Sequence, residues 1–223
     1  MTLKLVLFDV DGTLIDSQGS IVAAMDAAFA SQNIAAPARS ETLNIVGLSL
    51  DHAMARLAGG TSRAVQAALV DSYKAAFKTH REAGMRSPFY PGARAVLDEL
   101  ASRDDLLLGV ATGKSRRGLD ALIEMHSLDG VFVTRQVADN HPSKPHPSMI
   151  ETAMAETGCE PRDTVMIGDT SYDMDMARAA GVAGIAVGWG YHASDTLRAR
   201  ADLMIDSFDH LPVALDQIWA VPA

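Results

Sequence analysis

From Ser87 onward the chain alternates short apolar runs with amphipathic segments, and this alternation restricts the fold more than any other feature. The runs are Leu106–Ala111, Val131–Val133, Thr164–Ile167, Gly184–Val187 and Asp202–Ile205, each too short for a helix. Helical patterns fall between them near 92–102, 115–126, 147–157 and 172–180, with Pro91-Gly92 before the first, Pro147 opening the third and Gly181 after the fourth. Strand–helix alternation predicts an α/β, Rossmann-like fold: a mainly parallel sheet with helices on both faces. A further apolar run, Leu3 to Phe8, reads as a buried strand at the N-terminal end.

Residues 17–86 break the rhythm. Ile21, Val22, Met25, Ala28 and Phe29 recur at helical spacing, as do Val65, Leu69, Tyr73, Ala76 and Phe77. Shorter helices are expected at 39–46 and 50–58, with Gly59-Gly60 as a stop. The division expected is a core of 1–16 and 87–223, with 17–86 inserted as an α-helical cap.

Composition narrows the function classes. A net charge of −9 argues against a nucleic-acid binder, whose affinity rests on clustered Lys and Arg. A small anionic substrate would therefore need local positive charge. Apolar stretches are too short to span a bilayer, so no membrane partner is expected. The single cysteine, Cys159, suits a reducing compartment, and a cytoplasmic location is the expectation.

In open parallel sheets ligands bind outside the carboxyl ends of the strands. The first run ends in Asp9-Val10-Asp11-Gly12-Thr13-Leu14. Side chains two apart on an extended segment point the same way, so Asp9 and Asp11 would face one site, and two such acids need a cation, a shared proton or a positive neighbour. A plain Asp-Gly turn is the alternative. The Leu106–Ala111 run delivers Thr112, Gly113, Lys114 and Ser115; the Thr164–Ile167 run delivers Gly168, Asp169, Thr170, Ser171 and then Asp173. Thr112 could instead satisfy a backbone group, and Asp169 or Ser171 could cap a helix. Lys144 lies in His141-Pro142-Ser143-Lys144-Pro145-His146-Pro147, where proline stiffening could hold a lysine firmly, although a solvated loop is the simpler reading.

Taken in order, Asp9-Val10-Asp11-Gly12-Thr13, Thr112, Lys144-Pro145 and Gly168-Asp169-Thr170-Ser171-Tyr172-Asp173 resemble the four motifs of the haloacid dehalogenase-like hydrolase superfamily. The insertion resembles the helical cap of its phosphoglycolate phosphatase and β-phosphoglucomutase-like branch. The resemblance implies that Asp9 is a nucleophile forming an aspartyl-phosphate and Asp11 the general acid and base. It implies Mg²⁺ held by Asp9, the backbone carbonyl of Asp11, and Asp169, with Asp173 close behind. Thr112 and Gly113 would bind the phosphoryl group, and Lys144 would offset charge on it and on Asp9. The implied substrate is a small phosphorylated metabolite of the phosphoglycolate or sugar-phosphate class. Asp11 disfavours the dehalogenase and phosphonate-cleaving variants, which replace it. A sugar-phosphate mutase or a non-catalytic phosphosugar-binding regulator stand as alternatives.

Several other features carry less. Gly109 to Ser115 is one residue short of a nucleotide P-loop, and its first glycine lies inside a strand run. Lys114 is expected at the site margin or in solvent, and Asp175 on the surface. His141 and His146 lack the one-turn spacing of a helical metal pair. Leu48 to His52 and Arg56 are candidate specificity elements of the insertion, with His80 and Arg81 as weaker ones.

Overall fold

The computed structural model describes residues 2–84 and 86–220. Six parallel strands form one sheet: β1 Lys4–Phe8, β2 Leu106–Thr112, β3 Thr134–Val137, β4 Thr164–Gly168, β5 Ala183–Val187 and β6 Leu203–Ile205. Their order is β3-β2-β1-β4-β5-β6. The chain therefore winds outward in one direction from β1 to β3 and in the other from β4 to β6. The reversal falls between β1 and β4, where Leu5 to Phe8 pair with Thr164 to Ile167.

Alternation along β1 explains why both faces are covered. Val6 and Phe8 face a cluster built with Val96, Leu97 and Leu100 of α5 (Ala93–Ala101), Leu119 and Ile123 of α6 (Arg116–His126), and Leu211 and Leu215 of α10 (Leu211–Ala220). Leu5 and Leu7 face Met149, Ile150 and Ala153 of α7 (Ser148–Thr157) and Met176 and Ala177 of α8 (Ser171–Ala180). A short α9 (Ser194–Arg198) closes the β5 side through Leu197.

Between β1 and α5 lie α1 (Gln18–Ser31), α2 (Arg39–Asn44), α3 (Leu50–Leu57) and α4 (Arg63–Glu82). They pack on their own cluster, in which Met25, Phe29, Met54 and Leu69 are buried. The two chain crossings into this unit run side by side: Asp16 N–H donates to the Pro88 carbonyl, and Tyr90 N–H to the Leu14 carbonyl, both at 2.9 Å. No helix among the described residues is long and apolar enough to cross a membrane.

One expected strand is displaced. Val131–Val133 precedes the strand, which is formed by Thr134–Val137, and Val133 is 57% exposed. The edge strand carries polar residues that an apolar pattern misses: Thr134 donates to Glu156, and Gln136 donates to the same carboxylate at 2.8 Å. Helices α9 and α10 were also absent from the sequence expectation.

Candidate active site

Asp9 follows β1 and Asp169 follows β4, so the two acids meet at the point where strand order reverses. Asp173 joins them from the first turn of α8, three residues beyond the N-cap Thr170. One oxygen from each of Asp9, Asp169 and Asp173 lies within 4.8 Å of the others, and all three residues are buried.

The Lys144 ammonium donates to Asp9 Oδ1 at 2.9 Å and to Asp173 Oδ1 at 2.6 Å, with its side chain fully buried. Each remaining oxygen of the cluster is spoken for, with one exception. Asp173 Oδ2 accepts from the Thr170 backbone N–H (3.0 Å) and hydroxyl (2.7 Å), a reciprocal cap of α8. Asp169 accepts from the Thr13 hydroxyl at 2.9 Å and the Tyr191 N–H at 2.8 Å. Asp9 Oδ2 is buried and has no hydrogen-bond partner among the described residues.

Charge and burial act together here. Burial lifts the Asp9 carboxyl to about 6; Lys144 pulls it down and the Asp173 charge pushes it up. Burial also holds Asp169 well above the usual carboxylate range, aided by the charges of Asp173 and Asp9. For Lys144, burial opposes the charged form, but Asp173 and Asp9 outweigh it and hold the ammonium above its ordinary range. Three buried carboxylates that each bring one oxygen within 4.8 Å of the others are a donor set for a hard divalent cation such as Mg²⁺, and a cation there would favour the ionised acids. The backbone makes room for this cluster. A Cβ on Gly12 or Gly190 would overlap Asp169, and one on Gly168 would overlap Asp173; Gly12 also has φ +90°.

Asp11 stands apart from this trio. Its Oδ1 accepts from Ser17 Oγ at 2.6 Å, and both of its oxygens accept from the Lys114 ammonium, Oδ1 at 2.8 Å and Oδ2 at 2.7 Å. Lys114 is therefore inside the site rather than at its margin or in solvent, which corrects the sequence expectation. The turn after β2 aims it inward, and its stem is only partly exposed. Ser17 Oγ in turn lies 3.0 Å from the Tyr191 hydroxyl.

Asp9, Asp11, Thr112, Gly113 and Lys114 line a cavity of about 450 Å³, within the range of small-ligand pockets. Thr112 is 1% exposed, and its oxygen accepts the Lys114 N–H at 3.3 Å, which leaves its hydrogen free to donate. The far wall of the cavity comes from the inserted helices: Val46 to Asp51 and the 73–81 stretch of α4.

That wall is docked by direct bonds. The Ser49 N–H donates to Ser143 Oγ at 2.9 Å, Arg56 to the Tyr172 hydroxyl at 2.8 Å, and the Tyr172 hydroxyl to the Asn44 carbonyl at 3.1 Å. A Cβ on Gly113 would come within 2.7 Å of both the Gly47 and Leu48 carbonyl oxygens. Leu48, Ser49, Leu50 and Asp51 line the cavity, whereas Arg56 serves this docking contact and His52 bonds Ser49 at 2.9 Å. Arg81 lines the cavity as well, and His80 a smaller chamber behind it.

Asp175 lies on the surface, as expected, and pairs there with Arg178 and Arg200. His141 is bonded to Gln136 and Ser148. Cys159 is buried with Sγ 3.6 Å from the Leu3 carbonyl. Thr13, Ser17 and Tyr191 are the contacts the sequence reading missed. Tyr191 had a signal: Gly188-Trp189-Gly190-Tyr191 follows the carboxyl end of β5, the same position that flagged the acids.

Known proteins resemble this chain over nearly its whole length. A protein of Dickeya dadantii (strain 3937) named probable phosphatase IndB is 34% identical over 211 residues, covering 93% of this chain and 91% of the relative. Phosphoglycolate phosphatase of Agrobacterium fabrum is 28% identical over 214 residues, covering 95% and 91%. Pyrophosphatase PpaX of Oceanobacillus iheyensis is 28% identical over 203 residues, covering 89% and 90%. The fold matches a crystal structure of a hydrolase from Pseudomonas syringae with a TM-score of 0.84 at 24% identity, covering 98% of this chain and 99% of that one. The family model described as haloacid dehalogenase-like hydrolase matches residues 6–187, a span that contains every acid of the site, and the chain belongs to that family.

Proposed function

We propose that the chain is a Mg²⁺-dependent phosphatase of small phosphomonoesters, working through an aspartyl-phosphate on Asp9. The observation that carries this reading is the buried Asp9, with one oxygen fixed by Lys144 and the other without a partner among the described residues. A carboxylate held at one oxygen presents the other as an attacking atom in a defined direction.

In the first step Asp9 Oδ2 forms a bond to phosphorus while the ester P–O bond breaks, and the leaving oxygen takes a proton from Asp11. In the second, Asp11 takes a proton from water, the water oxygen bonds to phosphorus, and the acyl-phosphate bond breaks to free Asp9. Thr112 donates its hydroxyl to a phosphoryl oxygen, with Gly113 beside it. Lys144 offsets charge between nucleophile and phosphoryl group, and alignment and charge stabilisation supply most of the rate. Mg²⁺, held by Asp9, the Asp11 carbonyl and Asp169 with Asp173 alongside, would neutralise the repulsion between two anions.

Residues 17–86 act in this reading as a cap that closes over the core of 1–16 and 87–223 and excludes water from the first step. The relatives named for phosphoglycolate and for pyrophosphate support a small phosphorylated metabolite as substrate. Purified protein incubated with an aryl phosphate tests the reading: release of phosphate with Mg²⁺, and none after chelation, is expected. Equal activity with and without metal contradicts it.

A further inference from the structure

The loop between β3 and α7 carries Lys144, and its sequence, His141-Pro142-Ser143-Lys144-Pro145-His146-Pro147, gives its backbone few ways to hold itself. Three of the six residues between His141 and Ser148 are prolines and offer no N–H. The backbone closes a turn there, His146 N–H to the Ser143 carbonyl at 3.1 Å. Anchorage falls to side chains, and the His141 ring supplies it through both of its nitrogens.

The proton on that ring is placed by a chain of donors that starts at a carboxylate. Glu156, near the end of α7, can only accept. It takes the Thr134 hydroxyl, and the Gln136 amide nitrogen at 2.8 Å. The same nitrogen reaches Thr134 Oγ1 at 2.7 Å, so the amide oxygen is the atom that faces His141. That oxygen lies 2.9 Å from His141 Nε2 and accepts, so Nε2 carries the proton. Burial pushes the ring below its ordinary range, against the opposing pull of the Glu156 charge, and keeps it neutral. Nδ1 is then an acceptor and takes the Ser148 hydroxyl at 2.8 Å.

The ring thereby ties the buried Gln136 of the edge strand to Ser148, the first residue of α7. Both ends of the Lys144 loop are pinned, one to the strand before it and one to the helix after it. From the middle of that span the Lys144 side chain runs fully buried to Asp9 and Asp173. How far its ammonium reaches depends on where the loop sits, and the ring fixes the loop. His141 itself bonds none of the three acids among the described residues.

We propose that His141, in its Nε2–H form, is a positioning residue that sets the place of Lys144 against Asp9. The proposal rests on the phosphatase reading, in which Lys144 acts on the transferring group, and adds to it the part of the fold that aligns the lysine. A displacement of about 1 Å at a charge-stabilising group can cost about 100-fold in rate.

Kinetics of the full chain with Mg²⁺ and an aryl phosphate test this. His141→Phe keeps a planar ring and removes both bonds. Its kcat should fall about 10- to 100-fold while KM changes by less than about threefold. His141→Gln, whose amide can still donate to Gln136, should recover part of the loss. On a Lys144→Met background His141→Phe should cost no more than about twofold, because the group it positions is gone. Where His141→Phe does not fold, Ser148→Ala deletes the Nδ1 bond alone and carries the same cycle, with a loss of about three- to tenfold. In protein labelled with ¹⁵N-histidine, the resonance that His141→Phe or His141→Gln removes should report a proton on Nε2 and none on Nδ1 at neutral pH. A loss repeated in full without Lys144, a loss confined to KM, an unaltered kcat or a proton on Nδ1 overturns the proposal and leaves the phosphatase reading in place. Absence of phosphate release by the wild type overturns both.

Discussion

Lys144 holds Asp9 by a single oxygen: Nζ lies 2.9 Å from Oδ1, while Oδ2 is buried with no partner among the described residues. The lysine reaches this position from a proline-rich loop far along the chain, and its second bond, to Asp173 at 2.6 Å, ties that loop to the first turn of α8. One ammonium thus fixes the attacking group and knits together two motifs.

The first prediction follows from this linkage. Lys144→Ala leaves Asp9, Asp173 and Asp169 buried without their cation, and removing one partner of a buried ion pair costs about 3–5 kcal/mol. Urea unfolding in the absence of Mg²⁺ should show a loss of that order, and Mg²⁺ should restore part of it. A loss within the range of an ordinary surface substitution, about 0.5 kcal/mol, would mean that the lysine does not offset the acids.

A second prediction concerns pH. Asp9 is raised to about 6 and Asp169 well above the ordinary range, so the folded state holds protons that the unfolded chain has released. Stability of the metal-free protein should therefore fall as pH rises from about 4 through 6, the direction opposite to that of a carboxylate held low by a salt bridge. Thermal melts across this window check the sign, once other titrating groups are controlled with Asp169→Asn. The amide suits the site, since its oxygen can accept from the Tyr191 N–H and its NH₂ can donate to Thr13. The variant should have a weaker pH dependence, and a smaller rise in Tm on adding Mg²⁺ at pH 7.5, than the wild type.

How far the sequence alone leads is visible in these residues. Asp9, Thr112, Asp169 and Asp173 were found because each follows an apolar run, and strand ends at a sheet's reversal point are where a site forms. Lys144 was harder, because a loop gives no periodicity, and its weight came from resemblance. Lys114 was misplaced for a different reason: the direction of a side chain in a turn depends on tertiary packing, here the bidentate contact to Asp11. Strand β3 was shifted because its buried Thr134 and Gln136 are satisfied by Glu156, a long-range partner that no local pattern contains.

A third prediction addresses the docking of the inserted helices. Gly113→Ala places a methyl group within 2.7 Å of the Gly47 and Leu48 carbonyl oxygens. Both are backbone atoms and cannot rotate away, so the 44–49 loop must lift. Overpacking of this kind costs about 1–3 kcal/mol. Activity should drop about tenfold or more with the loss mainly in kcat/KM, as displacement of a positioning loop predicts. Hydrogen exchange should quicken in the 44–49 segment relative to β1. Unchanged exchange and activity would show that the contact is not needed.

Arg56→Ala gives a milder version of the same test. Its bond to the Tyr172 hydroxyl at 2.8 Å is exposed, so global stability should change by about 0.5–1 kcal/mol at most. KM should rise by a few fold while kcat is kept, and a tenfold loss in kcat would argue that Arg56 acts on the chemistry instead.

The covalent step is the centre of the account. Acid quenching during turnover with Mg²⁺, reduction by borohydride and peptide mass spectrometry will report any acyl-phosphate as an aspartate converted to homoserine. The prediction is conversion at Asp9 alone, dependent on substrate and abolished in Asp9→Asn together with at least about a 10³-fold loss of hydrolysis. Substrate turnover with no conversion at Asp9, or with conversion at Asp11 or Asp169 in its place, would contradict it.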